Sequence, residues 1–71
     1  SWEEAPYTLG DVNMDGSIDV IDASLILRYA ANLNTLTDTQ KAAADVNGNN
    51  SIDVIDASMV LRYAANLIDS F

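Results

Sequence analysis

The chain repeats itself. The stretch DVNMDGSIDVIDASLILRYAANL, Asp11 to Leu33, recurs as DVNGNNSIDVIDASMVLRYAANL, Asp45 to Leu67, with 18 of 23 positions identical and an offset of 34 residues. A repeat of this length is one supersecondary unit that cannot bury its apolar face alone. Helical solenoids use similar periods, but they need at least three copies and have no reason to carry an Asp/Asn cluster. Two copies predict instead a closed pair with pseudo-two-fold symmetry, and therefore one domain in the 71 residues.

Within each unit the chemistry changes halfway. The first part interleaves Asp, Asn, Gly and Ser with single apolar residues, which is loop composition. The second part, Val20 to about Leu33 and Val54 to about Leu67, is rich in helix formers and free of Gly and Pro. Asp19 and Asp53 stand at the N-cap positions, with Asp22 and Asp56 three residues on in the first turn. Between the units, Thr37-Asp38-Thr39-Gln40 opens a short helix over Thr37 to Ala44. The reading is a small all-α module of three helices in the order loop–helix, helix, loop–helix. Residues 1–10 form an N-terminal linker or clasp, 11–33 the first unit, 34–44 the connecting helix, 45–67 the second unit and 68–71 a tail.

A chain this short buries only ~60% of the surface its unfolded form exposes, and usually needs a disulfide, a metal or a partner to hold it. It has no cysteine and no histidine. Disulfides, thiolate and imidazole metal sites, and histidine-based catalysis all disappear with them. The staples left are an oxygen-ligated cation or a partner protein. The net charge of −8 argues against nucleic acid and anionic membrane surfaces. No apolar run approaches the ~20 residues of a membrane span, and none of these residues reads as a signal peptide, which says nothing of where the parent protein lives. Yet 49% of the residues are apolar and they are patterned, so this is no disordered acidic tail. The chain opens on Ser1, and is expected to be a piece of a larger protein.

Seven of the nine aspartates fall in two twelve-residue segments, Asp11–Asp22 and Asp45–Asp56. The first places oxygen side chains at loop positions 1, 3, 5, 9 and 12: Asp11, Asn13, Asp15, Asp19 and Asp22. Gly16 falls at position 6, where the chain turns sharply, and the Ser17 carbonyl at position 7 is a further ligand. This is the layout of an EF-hand calcium loop, in which alternate residues point inward around an ion that takes six to eight hard oxygens. Asp and Asn also favour turns and caps without metal. A cap, however, calls for neither Asp11, Asn13 and Asp15 upstream nor the same spacing 34 residues on. Four carboxylates in twelve residues repel one another unless a cation sits among them. The expectation is two calcium ions. The second loop uses Asp45, Asn47, Asn49, Ser51, Asp53 and Asp56, and with three carboxylates against four it is expected to bind more loosely. Asn50 replaces the turn glycine, and asparagine tolerates positive φ best after glycine. Ile18 and Ile52, at position 8, are expected to pair across the loops as a short bridge. The sequon Asn49-Asn50-Ser51 is read as chance.

The helices carry two apolar stripes. Leu25, Ile26, Tyr29 and Leu33, with Ile18, recur at helical spacing and read as core, matched by Met59, Val60, Tyr63 and Leu67. The second stripe is Val20, Ile21, Ser24, Leu27 and Arg28, with Val54, Ile55, Ser58, Leu61 and Arg62 in the other copy. Aliphatics facing away from the core of a small acidic domain mark a partner surface, and an arginine among them is a common anchor. The bland alternative is that both stripes are buried by packing on two sides or by dimerisation. Trp2, Pro6 and Tyr7 at one end and Ile68 and Phe71 at the other suggest a clasp of Trp2 or Tyr7 against Phe71.

Two near-identical DxNxDGxIDxxDxxxxxRY units around a short helix resemble a type I dockerin module, and the resemblance covers Asp11 to Leu67. It implies a non-catalytic, calcium-requiring module that lacks the entering EF-hand helix and plugs an enzyme into a cohesin module of a scaffoldin. It also implies that cohesin is read by loop positions 10 and 11 and by residues further along the helix. Here those are Val20, Ile21, Leu27 and Arg28, and Val54, Ile55, Leu61 and Arg62. Many clostridial members carry hydroxyl residues at positions 10 and 11, so the Val-Ile pairs imply a more apolar contact. If both copies present one face, the module has two binding orientations at 1:1 stoichiometry and is itself a monomer. The parent is expected to be a secreted, cell-surface-associated polysaccharide-degrading enzyme, outside the cell where calcium fills modest sites. The alternative is an EF-hand-type regulator gripping a target helix. The Asp at position 12, the missing entering helix and only two methionines stand against it. Enzymatic activity in the module has no support, since no nucleophile–base pair is visible.

Overall fold

The computed structural model describes residues 7–71, in which three helices succeed one another: α1 (Val20–Ala30), α2 (Asp38–Ala44) and α3 (Val54–Ala64). Each begins where a side chain can satisfy the free N–H groups of its first turn. At α1, extended Asp19 accepts the Ile21 N–H on Oδ1 at 3.1 Å, while Asp22 Oδ2 takes the Asp19 N–H at 2.9 Å. Asp53 and Asp56 repeat this at α3 with 3.1 and 3.0 Å. At α2 the box is Thr37 and Gln40: Thr37 Oγ1 accepts the Gln40 N–H, and Gln40 Oε1 accepts the Thr37 N–H. Such a cap contributes about 1 kcal/mol.

The two long helices stop one turn earlier than their composition predicts. Asn32 and Asn66 adopt left-handed backbone at φ 62°. Leu33 then donates its N–H back to the Arg28 carbonyl at 2.8 Å, and Asn32 donates to Tyr29 at 3.0 Å; Leu67 and Asn66 do the same with Arg62 and Tyr63. This is the Schellman ending, which closes the last carbonyls and turns the chain outward. Leu33 and Leu67 therefore leave the helix face and stand 75% and 73% exposed, against the expectation that they belong to the core.

Helices α1 and α3 pack on each other. Ile26 and Val60 are completely buried between them, with Ala23 and Ala57 alongside, small enough to let the helices approach. Leu25, Tyr29 and Met59 are half-buried against this centre as the spacing predicts, while half-buried Tyr63 is stacked on Phe71. The loops and α2 complete it with Val12, Val46, Leu36, Ala43 and Ala44. Val12 and Val46 sit at loop position 2, so each calcium-type loop is anchored by the residue after its first acid. Ile18 and Ile52 are half-buried against the same core, but no strand or backbone bridge joins them among the described residues. Their side chains satisfy burial from separate loops, without a ladder.

The segment entering the first loop hangs on α2 at two points. Gly10 donates its N–H to the Ala43 carbonyl at 2.8 Å, and Gln40 Nε2 donates to the Val12 carbonyl at 3.1 Å. The C-terminus closes over the same place. Phe71 stacks on Tyr63 with ring centroids 4.9 Å apart, and a Cβ placed on Gly10 would lie 2.8 Å from the Phe71 ring. Among the described residues, Phe71 thus meets the Tyr63 ring and the bare Gly10 backbone. Trp2 lies outside the described residues, and Tyr7 is half-buried.

Candidate metal loops and exposed helix faces

Each loop is wound by its own side chains, and the backbone bonds they accept recur in both copies; only the first adds a side-chain bond, Asn13 Nδ2 to Asp15 Oδ2 at 3.2 Å. Asp11 accepts the Asp15 N–H on Oδ1 at 3.2 Å and the Gly16 N–H on Oδ2 at 2.9 Å; Asp45 accepts Asn49 and Asn50 at 3.2 and 2.8 Å. Asn13 accepts the Asp15 N–H at 3.3 Å, and Asn47 the Asn49 N–H at 3.2 Å. Asp15 and Asn49 take the N–H groups of Ser17 and Ser51 at 2.9 and 3.0 Å. Asp22 joins the ends of its loop, with Oδ1 on the Asn13 N–H at 3.1 Å and Oδ2 on the Asp19 N–H at 2.9 Å. Asp56 mirrors it on Asn47 and Asp53 at 3.4 and 3.0 Å. A carboxylate has about four lone-pair sites, so these bonds orient each group and leave lone pairs free for a cation.

The turn geometry explains the residues that differ. Position 6 is left-handed in both loops, Gly16 at φ 89° and Asn50 at φ 66°, as expected for asparagine in place of glycine. Position 4 is left-handed as well, with Gly48 at φ 70° but Met14 at φ 61°. An L residue at such a φ costs roughly 1–2 kcal/mol, so the first loop carries its strain on Met14 and the second a milder one on Asn50.

Asp11, Asp15 and Asp22 bring carboxylate oxygens within 4.8 Å of one another. Asp11 and Asp22 are buried and Asp15 is exposed. Burial pushes the Asp22 carboxyl above the ordinary 3.8, and the charges of Asp19 and Asp11 push the same way. Asp56 is raised for the same reason, burial first and then the charges of Asp53 and Asp45. Asp15, fully open to solvent, is instead lowered, chiefly by the Ser17 N–H. Two acids with no exposed surface at all, surrounded by other acids, are the arrangement a hard cation resolves. The donor set is all oxygen, which fits calcium. Asp19 is not among these converging groups, one of its oxygens being committed to the cap, and position 9 of such loops often reaches its ion through water. In the second loop no three carboxylates converge in this way among the described residues. Ser17 and Ser51 are exposed and held by the side chain at position 5.

The outer stripe is exposed in both copies. Val20 and Val54 are each 63% exposed, Ile21 and Ile55 54% and 55%, and Leu27 and Leu61 42% and 41%. Arg28 and Arg62 are exposed beside them, and Ser24 and Ser58 are half-covered. The alternative that packing within the chain buries both stripes is thereby set aside. Leu33 and Leu67, past the helix ends, are exposed as well. Sequence spacing missed them because the signal is Asn32 and Asn66 as left-handed stops, which a helix pattern reads straight through.

Fold and loops define a duplicated single-helix relative of the EF-hand, with one oxygen-lined loop opening each long helix. Residues 9–64 match the family model for the dockerin type I domain, and the chain belongs to that family of calcium-binding, non-catalytic modules. Among solved structures it is similar to the chain from Acetivibrio cellulolyticus described as the third cohesin ScaC in complex with the ScaB dockerin, altered in its N-terminal helix and displaying a type I interaction. Identity is 37%, with 92% of each chain covered and a TM-score of 0.86. The same complex with an alteration in the dockerin's C-terminal helix matches equally, at 37% identity over 92% of each chain and a TM-score of 0.86. A Coh-OlpC–Doc435 complex from Clostridium thermocellum matches at 35% identity and a TM-score of 0.80, covering 90% of this chain and 94% of that one. No curated protein matches the chain.

Proposed function

We propose that this module folds around two calcium ions and anchors its parent, a secreted polysaccharide-degrading enzyme, to a cohesin module of a scaffoldin outside the cell. The observation that carries the reading is the outer stripe: the residues the sequence leaves over from the core are the ones that stand in solvent, alike in both copies. Val20, Ile21, Ser24, Leu27 and Arg28 form one contact face, and Val54, Ile55, Ser58, Leu61 and Arg62 the other. The aliphatics supply the desolvated centre and each arginine a polar anchor. Asp11, Asn13, Asp15, Ser17, Asp19 and Asp22 hold one ion; Asp45, Asn47, Asn49, Ser51, Asp53 and Asp56 hold the second, more loosely. Calcium adds no contact to the partner in this scheme. It neutralises the acids at the start of α1 and α3, and so fixes the helices that carry the faces.

Because the faces are equivalent, either meets the cohesin, in two orientations at 1:1 stoichiometry. Support comes from the ScaB dockerin, which displays a type I interaction with either its N-terminal or its C-terminal helix altered. Calorimetric titration with a panel of cohesins, in calcium and again in excess chelator, tests the reading. Tight 1:1 binding in calcium and none in chelator is expected; silence across the panel with calcium-induced helix intact refutes the cohesin assignment alone. Replacing Val20 and Ile21 by Ala, or Val54 and Ile55 by Ala, is expected to cost little, and all four together to abolish binding. A single pair that kills binding rules out two orientations.

A further inference from the structure

The two loops differ at only three positions, Met14-Asp15-Gly16 against Gly48-Asn49-Asn50. One consequence is that an Asn-Gly pair exists in the second loop alone. Asn47 is exposed, and a Cβ built on Gly48 would meet nothing within 4 Å, so neither a side chain of its own nor a neighbour's fills the space beside Gly48. In the first loop the equivalent Asn13 is succeeded by Met14, whose side chain crowds the same nitrogen. We propose that Asn47 is a site of spontaneous deamidation gated by the metal of its own loop, so that calcium loss starts an irreversible chemical ageing of the second copy.

The chemistry balances with water as the only co-reactant. The deprotonated Gly48 nitrogen attacks Asn47 Cγ and forms the new N–C bond. The Cγ–Nδ2 bond breaks and ammonia leaves, carrying the proton. Water then opens the resulting succinimide at one of its two carbonyls, giving aspartate or isoaspartate at position 47. The folded loop blocks the first step. Gly48 donates its N–H to the Asp45 carbonyl at 3.2 Å, and the Asn47 carboxamide oxygen is held by the Asn49 N–H at 3.2 Å. The Asn47 N–H is fixed in turn by Asp56 Oδ1 at 3.4 Å. Nitrogen and carboxamide meet only when the loop opens, and a loop that ends on wholly buried Asp56 opens when nothing compensates its acids.

The product decides the outcome. Isoaspartate routes the main chain through the former side-chain methylene, adding an atom between loop positions 3 and 4. Positions 1 and 3 then no longer face the point that positions 5 to 12 surround. The first copy is untouched, so an aged module retains one contact face of two. This rests on the calcium and two-face reading above.

The test is peptide mass mapping with enzymatic isoaspartate labelling, on the full chain incubated at mildly alkaline pH. Three arms are compared: chelator, calcium, and the variant Gly48→Met in chelator, which installs the first loop's own residue at a backbone φ that Met14 already adopts. Conversion is expected at Asn47 and not at Asn13 in chelator. It should fall about 100-fold when calcium stands at a hundred times its Kd, because binding depletes the open form in that ratio. Gly48→Met should slow it in chelator. No conversion at Asn47, equal conversion at Asn13, equal rates with and without calcium, or an unslowed Gly48→Met overturns the proposal. Circular dichroism of fresh protein titrated with calcium reports separately whether the calcium reading holds.

Discussion

Removing the Phe71 ring is expected to loosen the first metal loop from the far end of the chain. The ring stacks on Tyr63 at 4.9 Å with planes 25° apart, and such a pair is worth about 0.5–1.5 kcal/mol beyond its area. Phe71 is half-buried, so about half of the 1.5–3 kcal/mol for a fully buried side chain is also lost. Phe71→Ala should therefore cost about 2 kcal/mol, and roughly 10 °C in Tm for a domain of this size. Gly10→Ala attacks the same contact from the other side. The new methyl would sit 2.8 and 2.9 Å from two Phe71 ring carbons, and φ is +92°. Overpacking of this kind costs about 1–3 kcal/mol, and the backbone strain roughly 1–2 more.

The two terms separate in a double-mutant cycle. Without the ring the clash vanishes and only the strain remains, so Gly10→Ala should cost about 1–3 kcal/mol less in the Phe71→Ala background. Urea unfolding of the four proteins in saturating calcium measures this. Additive costs would mean that Phe71 does not press on Gly10, and the argued closure of the two ends would be wrong. The stake is functional, because Gly10 precedes the first ligand position, Asp11, and is itself hung on α2 through Ala43.

The loops set further outcomes. Met14→Gly should stabilise the calcium form by about 1 kcal/mol in urea, since it removes left-handed strain at an exposed position; no gain would refute the strain. Asp15→Asn should weaken the first site and Asn49→Asp strengthen the second, reversing their order by calorimetry; an unchanged order would sink the carboxylate-count argument. The raised pKa of Asp22 and Asp56 gives metal-free folding a stability that is present below the ordinary aspartate value of 3.8 and lost as pH rises through the raised folded values. In chelator, helical ellipticity should therefore increase on acidification through that window, against the opposing but solvent-screened contribution of Asp15. In calcium the sign reverses, because the ion needs ionised carboxylates. The same slope in both conditions would contradict it. Ile26→Ala should cost about 2–5 kcal/mol from a site with no exposed surface, as read by the shift in Tm.

How much of the fold and site is legible in the residues depends on whether a rule acts locally. The capping boxes at Asp19, Thr37 and Asp53 are fixed by residues three apart, and their helices begin where the sequence places them. Asn50 at φ 66° is equally local. The C-terminal ends escape such a rule because Ala-Ala-Asn-Leu is good helix composition, and only the left-handed asparagine shows that Leu33 turns outward. The core contribution of Val12 and Val46 is hidden by their setting among ligand residues, where an apolar residue between acids looks like spacing. The Phe71–Tyr63 stack depends on where the tail after α3 turns back, and the contact with Gly10 needs the chain to return across its whole length, which no local pattern encodes.

The copies differ at five positions: three on the loop rim, and the pairs Leu25/Met59 and Ile26/Val60 on the inner side of the helices. Leu25/Met59 conserves volume and Ile26/Val60 differs by one methylene, changes that a core tolerates. The rim changes alter carboxylate count and backbone strain, which act on the ion. Every residue of the outer stripe, Val20, Ile21, Ser24, Leu27 and Arg28 against Val54, Ile55, Ser58, Leu61 and Arg62, is the same in both. Stability and metal affinity can therefore be unequal between the halves while the exposed surfaces stay alike. A difference between the two orientations would then arise from how firmly each loop holds its helix, and lowering calcium should bias binding toward the face opened by the first loop.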